Sequence, residues 1–260
     1  MAWTAIVLAG QRPGENGFAA AHGVAAKALI AVAGEAMLGR VARTLLACPS
    51  VERILVLAQE PEALMTGELA WLGEEPRIGA ARAGEGISAS IAAVTGDGAA
   101  PYPVLVTTAD HALLTPQMVE TFLAGTAGAD AAFAAVERKT VERAGLETQR
   151  TWIKFSDGHF TGANLFALRT PAARRALDVW ARVEKDRKKA LKLLMFLGPM
   201  IFLRAFTRTI SLGAATRKAG RGAGLALRAI RLPFAEAAID VDKQEDLDLA
   251  ERILAGRQPG

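Results

Sequence analysis

Four short, nearly continuous apolar segments between residues 4 and 136 constrain the fold of this chain more than any other feature. They occupy residues 4–9, 53–58, 103–108 and 131–136. Strands that are buried on both faces of a parallel sheet have this continuous pattern, whereas strands with one wet face alternate apolar and polar residues. Segments with helical spacing separate them, at residues 37–46 and 87–94 and after the capping pair Thr115–Pro116. The alternation predicts an α/β fold with a doubly wound, mostly parallel sheet.

The second half of the chain is organised differently. Further strand-like segments are predicted at residues 151–155, 164–168, 231–234 and 238–241, and a helix at residues 243–254. Residues 171–227 form a long basic and apolar stretch with helical character. The sequence contains no internal repeat, and no low-complexity linker separates this stretch from the rest of the chain. We therefore interpret residues 171–227 as a helical insertion within a single domain that spans residues 1–260.

Composition narrows the class of protein. Of the 260 residues, 51% are hydrophobic and 22% are charged, which is typical of a folded chain rather than a disordered one. Cys48 is the only cysteine, which excludes an internal disulfide and a cysteine-based zinc site. The first residues lack the pattern of a secretory signal, and the longest apolar run, residues 193–203, is too short to cross a bilayer as one helix. We expect a cytoplasmic protein.

A glycine turn follows the first predicted strand, at Gly10. Such a turn directs backbone N–H groups towards a ligand, which is one way in which proteins hold phosphate. Arg12 and Lys27 follow it and add positive charge. The turn alone is also typical of ordinary loops, because neither G-x-G-x-x-G nor G-x-x-x-x-G-K-[ST] is present.

Acidic residues accompany two other predicted strands. Asp110 follows the strand at residues 103–108, at the end where open α/β sheets bind ligands. A turn or helix-capping aspartate is the alternative interpretation of Asp110. Asp240 and Asp242 alternate along the predicted strand at residues 238–241, so we expect their side chains to share one face. Like charges placed together are costly unless a cation or a basic group offsets them.

Taken together, these segments resemble the nucleotidyltransferase superfamily that includes the molybdenum-cofactor guanylyltransferases (MobA-like NTP transferases), the sugar-phosphate nucleotidylyltransferases and the methylerythritol-phosphate cytidylyltransferases. The resemblance covers nearly the whole chain and is weakest at residues 171–227. It rests on the order of Leu8-Ala9-Gly10, Lys27-Ala28-Leu29, Val32-Ala33-Gly34, Gly84 to Ile91, Asp110, Gly162-Ala163-Asn164 and Asp242. The chain departs from the family after Gly10, where Gln11-Arg12-Pro13-Gly14 replaces the usual Gly-x-Gly-x-Arg.

The resemblance implies a role for each of these residues. The nucleotide would contact Leu8, Ala9, Gly10, Gln11, Arg12, Lys27, Gly84, Ser88 and Ser90. The acceptor would contact Gly162, Asn164 and Lys154. The catalytic residues would be Lys27, Asp110 and Asp242, with Mg²⁺ as the cofactor held by the two aspartates. His111 is interpreted as a supporting or uninvolved group, and Asp240 as a group that supports Asp242.

The implied reaction transfers an NMP unit from an NTP, with GTP or CTP favoured, to a phosphorylated small molecule and releases pyrophosphate. Lys27 would stabilise charge on the phosphate chain, and an anionic acceptor needs no general base. A nucleotide-sugar-dependent glycosyltransferase is the alternative enzyme, but those usually carry Asp-x-Asp where this chain has Asp110-His111-Ala112. A non-catalytic nucleotide-binding or membrane-recruited regulator is the alternative from another class. We expect no nucleic-acid partner.

Residues 187–208 form an apolar block that basic residues bracket and Gly198-Pro199 divides. We favour a helical hairpin that is buried against the main domain. The alternatives are a dimer contact, or a cover over a lipid-like acceptor that makes a peripheral membrane contact, where basic side chains meet anionic headgroups. The oligomeric state stays open at this point.

Overall fold

A computed structural model describes residues 1–11, 17–96, 98–184 and 209–256. The strands in these residues are β1 (Trp3–Leu8), β2 (Ala31–Val32), β3 (Glu35–Ala36), β4 (Val51–Ala58), β5 (Ile78–Arg82), β6 (Val104–Thr108), β7 (Ala131–Glu137), β8 (Ile153–Phe155), β9 (Gly158–Leu168) and β10 (Leu227–Leu232). The α-helices are Gly17–Ala21, Met37–Leu46, Pro61–Leu64, Trp71–Glu74, Ile87–Val94, Pro116–Gly125, Arg138–Arg143, Arg174–Glu184, Leu212–Ala223 and Gln244–Ala255.

One eight-stranded sheet forms the centre of the fold. Its strands lie in the order β10-β7-β9-β6-β1-β4-β5, and β8 pairs with β9. Strands β6, β1, β4 and β5 pair in parallel, as do β10 and β7, and β9 is antiparallel to both β6 and β7. All strands of this row except β9 therefore run in one direction, and their carboxyl ends share one edge of the sheet.

Helices cover both faces of this sheet. Val7 of β1 lies in the same buried cluster as the helix Met37–Leu46 on one face. Ile6, the preceding residue of β1, packs on the other face with the helix Ile87–Val94. Successive strand residues enter opposite cores because side chains alternate across a strand. The doubly wound α/β fold and its mostly parallel sheet are confirmed.

One predicted strand in the second half is wrong, and another has different bounds. Residues 238–241 contain no strand, because Ala235–Ala238 forms a 3₁₀-helix and the following residues are extended but unpaired as a strand. The strand predicted at 231–234 is β10, which begins earlier and ends at Leu232. Strand β5 and the short hairpin of β2 and β3 were not predicted.

The stretch at residues 171–227 is described only in part. The structure places a 3₁₀-helix at Pro171–Ala173 and two of the helices given above before strand β10 begins. The apolar block at residues 187–208 lies outside the described residues, so its three interpretations stay predictions. No helix among the described residues is long and apolar enough to span a membrane.

Candidate active site

The predicted site residues collect at the edge where the parallel strands end. Gly10 follows β1, Gly84 follows β5 and Asp110 follows β6. Asp242 lies in the segment that follows β10 and precedes the helix Gln244–Ala255. Open α/β sheets bind ligands in the crevice outside the carboxyl ends of their strands. The topology thus brings these four positions to one edge of the sheet.

Lys27 joins the two predicted metal-binding aspartates. Its Nζ lies 2.5 Å from Oδ2 of Asp110 and 2.5 Å from Oδ1 of Asp242. The side chains of Lys27 and Asp110 are largely enclosed, at 26% and 20% exposure, whereas that of Asp242 is 62% exposed. One ammonium group therefore bridges two carboxylates that are 132 residues apart in sequence (242 less 110).

Apolar neighbours explain why these three polar residues meet. Ile30, Leu113 and Val241, each within three residues of one of them, are buried in a single cluster beneath the site. The Val241 N–H also donates to the Asp110 carbonyl oxygen at 3.0 Å. The burial of the apolar residues fixes the three backbone segments, and the intervening polar side chains are left at the rim.

The surroundings hold Lys27 in its charged form. Burial alone would lower its pKa, but the negative charges of Asp110 and Asp242 and their hydrogen bonds to Nζ outweigh burial and raise the pKa. Asp110 is held in turn by the hydroxyl of Thr108, which donates to its Oδ1 at 2.5 Å. Asp110 therefore presents a fixed carboxylate, and Asp242 presents a more exposed one.

Asp240 has a different partner from Asp242. Its side chain is buried at 8% exposure and accepts from the guanidinium of Arg150 at 2.6 Å. Burial, together with the nearby charges of Asp110 and Asp242, raises the pKa of Asp240 to about 7 against the opposing effect of Arg150. The expected strand that would align Asp240 with Asp242 does not form, and the two carboxylates engage separate cations.

His111 lies beneath the site and is fully buried. Burial lowers the pKa of His111 to about 4, so the ring is neutral near pH 7. Its Nδ1 lies 3.5 Å from the Thr107 hydroxyl, and its Nε2 has no hydrogen-bond partner among the described residues. Oδ1 of Asp240 and Oε1 of Gln11 are two further buried side-chain atoms of this region that lack such a partner among the described residues. A neutral, enclosed His111 therefore carries no charge into the crevice.

Gln59, which follows β4, fixes the opening loop after β1. Its Oε1 accepts from the Gln11 N–H at 3.0 Å, and its Nε2 donates to the Gln11 carbonyl at 3.0 Å. A Cβ atom on Gly10 would lie 2.8 Å from Gln59 Oε1, so only glycine fits without displacing this side chain. The backbone N–H and carbonyl of Gln11 are therefore both engaged by Gln59, and the nucleotide contact of Gln11 stays a prediction. Leu8 and Ala9 lie at the same strand end, and Arg12 lies outside the described residues.

The segment predicted to bind the base follows β5. Gly84 is exposed, whereas Ser88 and Ser90 are buried in the first turn of the helix Ile87–Val94. The Ser90 hydroxyl donates to the Gly86 carbonyl at 2.7 Å, which stabilises the turn that carries Gly84. Ser90 thus shapes this segment, and the base-reading role of these residues stays a prediction.

An irregularity interrupts the pairing of β9 at Asn164, near the end of β6 that leads to Asp110. Phe133 of β7 pairs with Phe166 of β9, and the next pair is Ala135 with Gly162. Between these two pairs β7 advances by two residues and β9 by four, so the extra residues of β9 include Asn164. Pairing of β6 with β9 stops at Val106, two residues before Thr108. Asn164 adopts a positive φ of 35°, a strained conformation that often marks functional positions. Asn164 thus lies at a notch between β6 and β7.

The other predicted acceptor residues lie further along the same strand. Gly162 is exposed and pairs with Ala135 of β7. Lys154 is exposed on β8, opposite His159, which is five residues from Asn164 along β9. The structure therefore places Gly162 next to the notch and Lys154 on the outer hairpin.

Three residues of this region were not predicted to have a role. Thr108 was assigned only to the strand before Asp110. Its hydroxyl lies two residues before that carboxylate, and this spacing could have indicated the hydrogen bond between them. Gln59 directly follows a buried strand, as Gly10 does, so its place at the edge could have been inferred. Arg150 lies in a segment without periodicity, 90 residues from Asp240, and no local pattern indicates their contact.

The arrangement suits a cation held by few protein ligands. No group of three or more His, Cys, Asp or Glu side chains in the described part of the chain could hold a metal ion. Mg²⁺ is commonly bound through one or two carboxylates, with water and substrate phosphates as the other ligands. Asp110 and Asp242 already share one cationic group, so their donor atoms fit such an ion.

Comparisons with known proteins agree with this geometry. A hypothetical transferase from Thermus thermophilus is 29% identical, with 95% of this chain and 100% of that chain covered and a TM-score of 0.77. The 4-diphosphocytidyl-2C-methyl-D-erythritol synthase of Anaerococcus prevotii has 12% identity, 97% and 96% coverage and a TM-score of 0.59. A CMP:2-keto-3-deoxy-manno-octonic acid synthetase complexed with CTP has 15% identity, 99% coverage of both chains and a TM-score of 0.58. The last two similarities concern the fold alone.

A family model identifies the family of this chain. A comparison with curated proteins finds no match. The family model described as MobA-like NTP transferase domain matches residues 5–198, which is most of the chain and includes both Lys27 and Asp110. The chain therefore belongs to the MobA-like NTP transferase domain family and is a nucleotidyltransferase.

Proposed function

We propose that this nucleotidyltransferase uses Mg²⁺ and transfers an NMP unit, from GTP or CTP, to a phosphorylated small-molecule acceptor. A phosphate oxygen of the acceptor forms a bond to the α-phosphorus of the NTP, the bond from that phosphorus to the bridging oxygen breaks, and pyrophosphate leaves. Family membership favours this reaction over glycosyl transfer. The contact of Lys27 with both Asp110 and Asp242 is the observation that carries the proposal.

Each of these three residues has a task that its geometry supports. Asp110, held by Thr108, and Asp242 would hold Mg²⁺, which neutralises charge on the phosphates when bound. Lys27 is charged, and its Nζ lies among the acidic groups, from where its flexible side chain can contact the phosphate chain of the NTP. No side chain is required to take a proton, because the acceptor phosphate is already anionic. Positioning and charge compensation therefore supply the catalysis.

The notch at Asn164 is the proposed entry of the acceptor. The Asn164 side chain has no hydrogen-bond partner among the described residues, and it lies across the interrupted strand pair from Thr108. An unpaired amide supplies both a donor and an acceptor to a polar ligand. Gly162, on the same strand, leaves the approach open. Lys154 would contact the acceptor from the outer hairpin if the acceptor is long.

A cavity of about 450 Å³ on the other side of Asp242 is a less suitable place for the acceptor phosphate. It lies between residues 138–152 and the helix Gln244–Ala255. Four acidic and two basic side chains line it: Glu142, Glu147, Glu245 and Asp246, with Arg138 and Lys243. Arg138 already pairs with Glu142 at 2.7 Å. The excess of acidic groups opposes an anion, so we place the phosphate at the notch.

A pyrophosphate-release screen tests this proposal. The purified protein is incubated with each of the four NTPs, with and without Mg²⁺, against a panel of phosphorylated sugars, alcohols and cofactor precursors. We expect release with GTP or CTP, only with a divalent ion and only with a subset of acceptors. The nucleotide product is then identified by mass spectrometry as the acceptor plus NMP.

Two outcomes would contradict the proposal. Release that is equal with and without acceptor would indicate NTP hydrolysis rather than transfer. Tight NTP binding with no release for any acceptor in the panel would favour the non-catalytic regulator. Transfer from ATP or UTP would leave the reaction intact and correct the base.

A further inference from the structure

Lys27 occupies the place that a metal ion shared by the two aspartates would take. The contacting oxygens of Asp110 and Asp242 are each 2.5 Å from its Nζ, so they are at most 5.0 Å apart. An ion that binds both would lie about 2.1 Å from each oxygen, between the same two atoms. The ammonium group and a divalent ion cannot occupy that position together, because of their size and their equal sign of charge.

We propose that Lys27 is the resident cation of this acid pair, and that the pair accepts a divalent ion only together with the nucleotide. The phosphates of the NTP would receive the displaced ammonium group, so each cation keeps an anionic partner. This inference rests on the proposed function, because it assumes that Asp110 and Asp242 bind the metal. It adds an order of events: a metal ion does not load onto the protein before the nucleotide.

The burial of the pair explains why a resident cation is needed. Asp110 is 20% exposed, and a partly enclosed carboxylate near a second one is costly unless a positive charge compensates it. Among the described residues, no other Lys or Arg forms an ion pair with Asp110 or Asp242. Arg150 is engaged by Asp240 at 2.6 Å. Lys27 therefore carries this compensation itself.

The structure also allows the exchange. Lys27 lies in the short 3₁₀-helix Lys27–Leu29, whose backbone is fixed by the burial of Ala28 and of the following Ile30. Its long side chain can move while that backbone stays in place. Asp242 is the exposed partner, at 62%, so its contact with Lys27 is the weaker one and would open first. Asp110 stays fixed by Thr108 and keeps half of the metal site in place.

Metal binding by the nucleotide-free protein tests the exchange. Mn²⁺ serves as the probe, and its binding is measured by electron paramagnetic resonance and isothermal titration calorimetry on the full chain. We expect weak binding by the wild type and at least about tenfold tighter binding by Lys27→Met, because removal of the competing charge leaves the acid pair open. Adding Asp110→Asn to Lys27→Met should abolish the gain.

Lys243→Met is the matched control. It removes the same charge one residue from Asp242, but the Lys243 ammonium group contacts Glu245 at 3.4 Å and Gln149 at 3.5 Å. A general effect of net charge would tighten Mn²⁺ binding equally in both variants and overturn the proposal. Circular dichroism checks folding, and Lys27→Gln replaces the methionine variant if that one fails to fold.

The wild type alone also decides the matter. Tight Mn²⁺ binding without nucleotide that Asp110→Asn removes would overturn the proposal, because Lys27 would then not block the site. This failure differs from a failure of the proposed reaction. If the wild type releases pyrophosphate but Lys27→Met binds Mn²⁺ no more tightly than the wild type, the exchange is rejected and the proposed reaction is kept. If Lys27→Met binds Mn²⁺ more tightly but the wild type releases no pyrophosphate from any NTP, the exchange is kept and the proposed reaction is rejected.

Discussion

The two ends of the central sheet both hold charged side chains, but those side chains have different kinds of partner. At the carboxyl edge, Lys27 is bound to two other charged groups, of which Asp110 is held by Thr108 and Asp242 is exposed. At the opposite end, Arg77 donates to the carbonyl oxygens of Leu46 at 3.0 Å, Glu52 at 3.1 Å and Val51. The charged group therefore contacts oppositely charged side chains at the carboxyl edge and backbone carbonyl groups at the opposite end.

At the opposite end a second charged side chain, Glu120, also has neutral partners. Glu120 accepts from both the backbone N–H and the hydroxyl of Ser50, at 3.0 and 2.5 Å. Cys48 is buried beside them, and burial, with the charge of Glu120, raises the pKa of its thiol to about 12. A cavity of about 540 Å³ lies here too. A cavity with charged neighbours therefore does not identify a site by itself.

The difference teaches how to separate a structural charge from a functional one. A guanidinium bound to three fixed carbonyl groups has no exchangeable partner, so moving it would leave several polar groups unsatisfied. An ammonium group between two carboxylates can be exchanged for another cation without leaving an unpaired group. We expect changes at the carboxyl edge to affect turnover and changes at the opposite end to affect stability.

The largest expected effect is that of Asp110→Asn at the carboxyl edge. We expect turnover to fall about 1,000-fold, because loss of a metal ligand costs several kcal/mol of transition-state stabilisation. The melting temperature should change little, since Asp110 is at the rim and its Oδ1 contact with Thr108 can be kept by the amide oxygen. Steady-state pyrophosphate release and thermal denaturation measure the two quantities. Normal turnover by a folded Asp110→Asn protein would remove the site assignment.

A smaller effect is expected for Asp242→Asn, about 100-fold in turnover, with a raised Mg²⁺ requirement. Asp242 is the more exposed of the two carboxylates, and water can replace it in part. Asp240→Asn serves as the comparison, because its partner is Arg150 and not Lys27. Mg²⁺ titrations of both variants should show the larger shift for Asp242→Asn. A larger shift for Asp240→Asn would exchange the roles of the two residues.

The smallest expected effect on turnover is that of Arg77→Ala at the opposite end. We expect no change in turnover but a loss of about 3 kcal/mol in the free energy of unfolding, because three carbonyl groups lose a charged donor. Urea denaturation measures the loss. Arg53→Ala is the control, because Arg53 is exposed and has no ion pair among the described residues. If Arg77→Ala lowers turnover without lowering the free energy of unfolding, the distinction between a functional and a structural end of the sheet is wrong.

Much of the fold could be predicted because apolar volume is concentrated in a few segments. Strands β1, β4, β6 and β7 are nearly continuous apolar runs, and the helix Met37–Leu46 has the predicted bounds. Strand β5 reads Ile-Gly-Ala-Ala-Arg, and this low side-chain volume gives no strand signal. Residues 238–241 alternate as a strand does, but no strand in the described part of the chain pairs with them.

The site could be predicted only at the level of single residues. Asp110 and Asp242 follow from their order along the chain and their places after apolar segments. That Lys27 lies between them could not be predicted, because its contacts span 83 and 215 residues and depend on the cluster of Ile30, Leu113 and Val241. The Asp240–Arg150 pair was missed for the same reason. Sequence patterns report local geometry, whereas ion pairs between distant segments depend on tertiary packing.

The hydrogen bond from Val241 to Asp110 has a consequence for how the candidate site is completed. It joins the segment after β10 to the segment after β6, and these two segments carry the two carboxylates that contact Lys27. The glycine turn after β1, Gln59 and Asp110 all come from the first 110 residues, whereas Asp242 comes from the last 20. The site is therefore shared between the two ends of the chain, and we expect catalysis to require that the segment after β10 is docked on the segment after β6.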